Sequence, residues 1–419
     1  MFRIENIKLS NYKNIDSAQI DFGNLNVIVG PNNSGKSNFL QSICFINEFI
    51  NGKMDSMEQG FAGNYKNYGY IFPKNFDMVP KKNKNETFDF ELKYSDDTNS
   101  YRYIIKLGLK VIIEKEGSTL FVKEEELEYK NKKKTGPLRK IFHRSDNDIT
   151  YGDDLRKTSI ISKAPDYASS LRVLKIIADV DNSDTNYNSA IKGLFEILDT
   201  PVFYFSNHRF NKNNDAIRVI DFNLKEEILK IREGNLWNSF KKVLSNILQI
   251  SDIKIIDLNK GIIKENEYNL DSKKNITNKL TLNFLLFFKQ FDDLKRLDDL
   301  SDGTVLLIAL VVKVFRSTKS LLIIEELENS IHPKALQDLI YFFKSFGDEK
   351  QFVITTHSSS LLNMIAPEEV VISKVSNNGR SELSKIKNIK ELKRKINEGF
   401  ISFGDTLFYD IDNDLENES

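Results

Sequence analysis

The sequence predicts an α/β fold, with a core built from both ends of the chain and an α+β lobe inserted between them. Three observations predict it. Short apolar runs that read as buried strands lie near both ends: NLNVIV before Gly30, LLII before Glu325, and FVITT before His357. Apolar residues at helical period follow the first of these, at Phe39, Leu40, Ile43, Ile46 and Phe49. Between the two ends, residues 87–130 alternate apolar and polar side chains in three successive segments, the pattern of a β-meander.

The elements follow in order. FRIENIKLSNYKNI alternates as strands do, and the next run stops at glycine. The period changes at Gly35, where a helix opens. Residues 51–85, rich in Gly, Asn, Tyr and Lys, read as a long loop or insertion. TFDFELKY, SYRYIIKLGLKVIIEKEG and STLFVKEEELEYK make the meander, NKKKTG a turn, and RKIFHRSDNDITYG a further hairpin. Residues 164–200 turn helical, with Leu171, Leu174 and Ile177 and then Ile191, Leu194 and Ile197 as apolar positions. PVFYFSNHR reads as a strand, and residues 222–250 as one or two amphipathic helices. DIKIID and KLTLNFLLFF read as strands, helices follow Ser301 and start at Pro333, and VVISKV is a late strand. The acidic tail DIDNDLENES lacks apolar anchors and is expected to fray. No repeat of fixed period and no sustained heptads run along the chain, so no long coiled coil is expected. The expected division is a core of 1–50 with 295–419 and a lobe of 51–294.

Composition bounds the function. A chain of 419 residues has length for two to three domain-sized units or one enlarged domain. Its 40% apolar and 29% charged residues are those of a globular protein. Sixty basic residues balance sixty acidic ones, which excludes a globally basic nucleic-acid coater and leaves room for local basic patches. The single cysteine, Cys44, excludes an internal disulfide framework or a zinc cluster and fits a reducing compartment. MFRIENIKLSNYK has no apolar signal core. The most apolar stretch, Thr304 to Phe315, contains Lys313 and falls well short of the roughly 20 residues a membrane span needs. A cytoplasmic protein without membrane contact is the expectation.

Four motifs carry chemistry. Gly30-Pro31-Asn32-Asn33-Ser34-Gly35-Lys36-Ser37 matches the P-loop pattern between a strand and a helix. Its glycines let backbone N–H groups turn inward on phosphates, and the helix start adds partial positive charge. Lys36 would reach the β- and γ-phosphates of ATP, and the Ser37 hydroxyl would bind Mg²⁺. In LLIIEE, an apolar strand delivers Glu325 and Glu326 to the edge where α/β sheets bind ligands. Glu325 would complete the Mg²⁺ shell, and Glu326 would orient or deprotonate the attacking water. Leu300-Ser301-Asp302-Gly303-Thr304 supplies an N-cap and a small residue at a helix start. Seen alone it is a capped core helix, and ahead of LLIIEE it reads as a second phosphate-binding helix start. Val353 to Ser358 ends a strand in His357, which could hydrogen-bond the γ-phosphate. A lone histidine is more often structural, and the order of all four motifs argues against that here.

The order GPNNSGKS, LSDGT, LLIIEELENSIHP, ITTHS resembles the ABC-type ATPase heads of the RecF, SMC and OLD class. It is most similar to the bacterial AAA-domain ATP-binding proteins of that class, many of which belong to phage-defence or toxin–antitoxin modules. The resemblance covers residues 1–50 and 295–375 closely and the middle only in layout. It implies a P-loop ATPase fold and composite sites. Ser301, Asp302 and Gly303 would act in trans on ATP held by a second copy, so that ATP joins two heads in a homodimer or higher assembly. It also implies that Glu326 is the catalytic glutamate, that His357 is the switch histidine, and that Glu328-Asn329-Ser330 cross the dimer interface. The P-loop with Asn38 would bind ATP, and Lys13 stands where the class often has an arginine near the nucleotide. Gln59 is the candidate for a Q-loop.

Two departures and several absences refine this. Glu325 stands where the class commonly has aspartate, one methylene longer, so slow turnover is expected. Leu327 replaces a common proline. Only 62 residues follow His357, too few for a metal-dependent nuclease domain besides the core's last elements. The Asp410, Asp412 and Asp414 cluster reads as a solvated tail rather than metal ligands. Lys130, Lys132, Lys133, Lys134, Arg139, Lys140 and Arg144, and separately Lys81, Lys82 and Lys84, could meet DNA, although the same residues suit a solvated turn. His208 and Arg209 could face nucleotide or a partner. Three readings result. The first is an ATP-hydrolysing switch that controls a separately encoded effector in phage defence or a toxin–antitoxin system. The second is a RecF-like DNA-binding ATPase of repair, and the third a non-hydrolysing ATP sensor or scaffold.

Overall fold

The structure is a computed structural model, and it describes residues 1–51, 87–112, 117–153, 155, 161–180, 185–199, 202–204, 215–257, 261–262, 284–328, 331–376, 379–399 and 402–405. In chain order the elements are strands β1 (Arg3–Tyr12), β2 (Ile15–Asp21) and β3 (Leu25–Val29), helix α1 (Lys36–Ile50), then β4 (Phe88–Ser95), β5 (Asn99–Ile112), β6 (Gly117–Asn131), β7 (Arg139–Ser145) and β8 (Asp148–Tyr151). Helices α2 (Leu171–Val180) and α3 (Asn186–Leu198) follow, then β9 (Val202–Tyr204), α4 (Asp215–Glu233), α5 (Trp237–Leu248), β10 (Ile250–Asp257), β11 (Gly261–Ile262), β12 (Phe284–Gln290) and β13 (Asp293–Arg296). The last third holds α6 (Asp302–Arg316), β14 (Leu321–Glu325), α7 (Pro333–Lys344), β15 (Gln351–Thr356), α8 (Ser359–Leu362), β16 (Val370–Val375), β17 (Ser381–Lys385) and α9 (Ile389–Gly399).

The chain forms two compact units. The first comprises Met1–Val202, Lys319–Glu325 and Phe346–Ser419, and the second Phe203–Thr318 and Glu326–Ser345. This differs from the expected division of 1–50 with 295–419 against 51–294. The reason is strand pairing. β4 lies antiparallel to β1, with Ile7 opposite Leu92 and Leu9 opposite Phe90, so the meander extends the sheet of the first unit. The helix that follows LSDGT belongs instead to the second unit.

The sheet of the first unit runs β8-β7-β6-β5-β4-β1-β2-β17-β16-β3-β15-β14. Its centre is parallel: β16 and β15 flank β3, and β14 flanks β15. All five residues of β3 and all six of β15 are buried, as strands covered on both faces must be. The meander shows the other pattern. Phe88, Phe90, Leu92 and Tyr94 on β4, and Tyr101, Tyr103, Ile105 and Leu107 on β5, turn to the core, and residues that are polar except for Ile104 alternate with them. α1 and α3 contribute Phe39, Ile43, Phe45, Ile46, Ile191, Leu194 and Ile197 to the same core.

One polar anchor sits inside this unit. Arg144, fully buried on β7, donates to the carbonyls of Asp146 (2.5 Å), Ala168 (2.5 Å) and Pro165 (2.7 Å). Beside it the buried Glu125 accepts from Tyr103 (3.0 Å), Ser169 (2.5 Å) and the Ser170 N–H (2.7 Å). The pair ties the segment before α2 to the meander. Arg144 is therefore removed from the basic cluster that could meet DNA, because its guanidinium donates to backbone oxygens inside the fold. Lys140 of that cluster pairs with Glu126 at 3.0 Å. Lys132, Lys133 and Lys134 lie on the exposed β6–β7 turn.

The second unit packs α4 to α7 with a four-stranded sheet ordered β11-β10-β12-β13. Phe240, Phe315 and Phe342 meet at its centre, with centroids 5.6 and 5.7 Å apart in an edge-on and a stacked pair. α6 is the apolar helix expected from Thr304 to Phe315, and Leu307 to Val314 are buried in it except Ala309 and Lys313. Among the described residues no helix is long and apolar enough to cross a membrane.

Candidate nucleotide-binding site

β3 carries the chain to Gly30 at the C-terminal edge of the sheet, and α1 opens at Lys36. The loop between them folds tightly because Asn33 (φ 62°) and Gly35 (φ 94°) take left-handed backbone, which asparagine tolerates and glycine adopts freely. Gly30 has a second reason to lack a side chain. A Cβ there would lie 2.2 Å from the carbonyl oxygen of Ser373 on β16. The Ser373 hydroxyl in turn donates to the Ser34 carbonyl, so β16 backs the loop at both points.

Lys36 is 6% exposed, and its Nζ donates to the carbonyls of Gly30 and Pro31, each at 2.8 Å. The ammonium thus lies inside the loop that would wrap a phosphate. On the next residue, the Ser37 hydroxyl donates to Oε1 of Glu325, the last residue of β14. Parallel register makes this meeting possible. Glu325 pairs with Thr355 on β15, Thr355 with Ile28 on β3, and all three strands deliver their ends to one edge. A hydroxyl and a carboxylate are hard oxygen donors of the kind Mg²⁺ takes, so this pair fits the ion.

His357 follows β15 at the same edge and is exposed. The Ser358 hydroxyl after it accepts from the Leu361 N–H at 3.3 Å and caps α8. Lys13, the first residue of a two-residue turn between β1 and β2, donates to Oε1 of Gln41 on α1, one turn beyond Ser37. Asn38, on the first turn of α1, donates to the Asn14 side chain at 2.6 Å. Pro31 is half-buried, while Asn32 and Asn33 are exposed at the loop's rim.

In the second unit, Ser301 caps α6: its Oγ accepts from the Thr304 N–H at 3.3 Å and lies 2.8 Å from the Thr304 hydroxyl. Ser301 and Asp302 are exposed and Gly303 half-buried at this helix start. Glu326 is bonded directly to Glu325 and has φ 53°. A glutamate in left-handed backbone costs on the order of 1 kcal/mol, so the surrounding fold imposes that conformation. Leu327, in the place of a common proline, is fully buried and anchors the turn.

Sequence reading therefore found the P-loop, Glu325 and His357, which the fold brings to one edge. It missed Asn14 and Ser373, which bond the loop, and Gln41 and Ser381, which bond the β1–β2 turn, all by contacts that chain closure alone makes. For Asn14 one signal was present, its place in KLSNYKNI where two alternating runs meet. Gln59, Lys81, Lys82, Lys84, His208, Arg209, Asn329, Ser330, Asp410, Asp412 and Asp414 lie outside the described residues.

The family model described as "AAA domain, putative AbiEii toxin, Type IV TA system" matches residues 25–363. Three curated relatives are DNA replication and repair proteins RecF from Streptococcus agalactiae strains of serotypes Ia, V and III. Each is 50% identical over 44 residues, which is 10% of this chain and 12% of the relative. The chain thus aligns with about an eighth of the length of these relatives. Among solved structures, an Smc head with an extended coiled coil, bound to the C-terminal domain of ScpA derived from Pyrococcus furiosus, is 12% identical with a TM-score of 0.47. It covers 94% of this chain and 98% of that one. The SMC head domain from Thermotoga maritima is 13% identical, with a TM-score of 0.43, and covers 92% and 99%. The chain belongs to this AAA-domain family.

Proposed function

We propose that the chain binds ATP with Mg²⁺ and hydrolyses it slowly as a switch between separate and ATP-joined copies. The observation that carries this is the hydrogen bond from Ser37 on the P-loop helix to Glu325 at the end of β14. It joins two motifs 288 residues apart into one pair of oxygen donors beside a buried lysine. On this reading the loop's N–H groups and Lys36 hold the phosphates, with Asn38 on the helix and Lys13 reaching it from the β1–β2 turn. Ser37 and Glu325 would hold Mg²⁺, which would supply positive charge to neutralise the phosphate oxygens. Glu326 takes the proton of the attacking water, whose oxygen bonds the γ-phosphorus as the bond to the bridging oxygen breaks, giving ADP and phosphate. His357 would donate to the γ-phosphate. Ser301, Asp302 and Gly303 would face the nucleotide of a second copy. The family description supports a place in a toxin–antitoxin module, and within such a module the switch would control a separately encoded effector in defence.

The test is ATP binding and turnover by purified protein. Lys36→Ala is expected to lose ATP binding, while Glu326→Gln keeps binding and loses hydrolysis. Binding retained by Lys36→Ala would overturn the P-loop assignment, and turnover retained by Glu326→Gln would remove Glu326 from the chemistry. A wild type that binds without turnover would establish the sensor reading instead. A second reading, ATP-dependent DNA binding, is favoured by the short stretch of identity to RecF and the exposed lysines of the β6–β7 turn.

A further inference from the structure

Asn14 ties together three parts of the chain that meet around the P-loop. Its Nδ2 donates to the Asn33 carbonyl at 2.7 Å and to the Ser381 hydroxyl at 2.9 Å, and its Oδ1 accepts from Asn38 Nδ2 at 2.6 Å. Its own carbonyl accepts from the Ser381 N–H at 2.7 Å. Loop, helix and β17 are therefore held by one residue of the β1–β2 turn. The surroundings are tight: a Cβ on Gly35 would meet Ile15, Ser381 and the Asn14 Oδ1 at 3.2 to 3.3 Å.

The contact with Asn33 has a chemical consequence. Carbonyl and N–H of one trans peptide point in opposite directions. Holding the Asn33 carbonyl toward Asn14 turns the Ser34 N–H into the loop, where its contact is the Pro31 carbonyl at 3.3 Å, long for such a bond. Asn33 is already in left-handed backbone, from which this peptide could rotate away if nothing held it. We propose that Asn14 is a positioning residue for ATP: it fixes the Asn33–Ser34 peptide plane so that the Ser34 N–H meets phosphate without reorganisation.

This rests on the ATP-binding reading, and the experiment separates the two. Asn14→Leu keeps the bulk and adds no charge while removing the donor. The expected result is about tenfold weaker ATP binding, the worth of one lost preorganising hydrogen bond. The Michaelis constant should rise accordingly and the saturated turnover rate should stay within about twofold. Hydrogen exchange at the Ser34 amide, measured without nucleotide, should quicken while the unfolding temperature holds. Asn14→Gln, which keeps the amide, should restore part of the affinity, and Ser381→Ala should lose little. Unchanged affinity in Asn14→Leu, beside a wild type that binds, would overturn the proposal. So would a loss matched by a fall in the unfolding temperature. If the wild type itself does not bind ATP, the ATP reading fails, and an unchanged Ser34 exchange rate would then sink the positioning claim independently. Should Asn14→Leu fail to fold, Asn14→Ser, too short to reach the Asn33 oxygen, carries the same comparison.

Discussion

Lys385 shows how a single residue can set a measurable property away from the site. It lies on β17, and its Nζ donates to the Glu368 carbonyl at 2.9 Å. Burial pushes its pKa down to about 8, against the opposing pull of Glu369 and Asp21. A base depressed in the folded protein penalises folding for as long as it must carry charge. Between about 8 and the unfolded value of 10.5 the unfolded chain binds more protons, so stability rises with pH across that interval. Burial also raises the Cys44 thiol to about 11 from 9.0, and this acts in the opposite sense above pH 9. The clean window is therefore pH 7.5 to 9, on the scale these two groups set. Thermal unfolding in steps across it should show the wild type gaining stability. Lys385→Met should be flatter and should start higher at pH 7. Equal slopes in the two proteins would show that Lys385 is not the group responsible.

At the scale of elements, the buried Arg144 holds the segment before α2 against β7, and Glu125 holds it against β6. Arg144→Met would remove three hydrogen bonds to carbonyls and leave the Glu125 charge without its neighbouring cation. The expected cost is about 3–5 kcal/mol in denaturant unfolding. Adding Glu125→Gln should return part of it, because the stranded charge goes as well. Equal losses in single and double variants would mean that the two groups act separately. The same elements show what was legible in the sequence. β3, β14 and β15 were readable because a strand buried on both faces is an uninterrupted apolar run. α1 was readable from its period, and α6 from its N-cap and the apolar run that follows. The sheet that the meander would join was not, because β1 and β4 each alternate correctly by themselves and nothing local says that they pair. The P-loop was legible because its residues are contiguous. Asn14 was not, because its partner Ser381 lies 367 residues away.

For the whole molecule, the zero formal charge and the division of motifs between units bear on assembly. Lys36, Ser37, Glu325 and His357 belong to the first unit, and Glu326 with Ser301, Asp302 and Gly303 belong to the second. On the proposed function the exposed start of α6 acts on a second copy, so ATP should control the oligomeric state. Without net repulsion between copies, nucleotide contacts alone can tip that balance. Glu326→Gln is expected to hold the joined state, because ATP binds and is not spent. Native mass spectrometry of this variant, expressed with its genomic neighbours and purified with ATP and Mg²⁺, should give a mass of two or more copies. Adding Lys36→Ala should return it to one. A single copy in both cases would overturn ATP-joined heads. A further protein in fixed ratio would support control of a separate effector. Bound nucleic acid would shift the weight to the DNA reading, in which case reversing the charge of Lys132, Lys133 and Lys134 should abolish its capture in a salt-dependent manner.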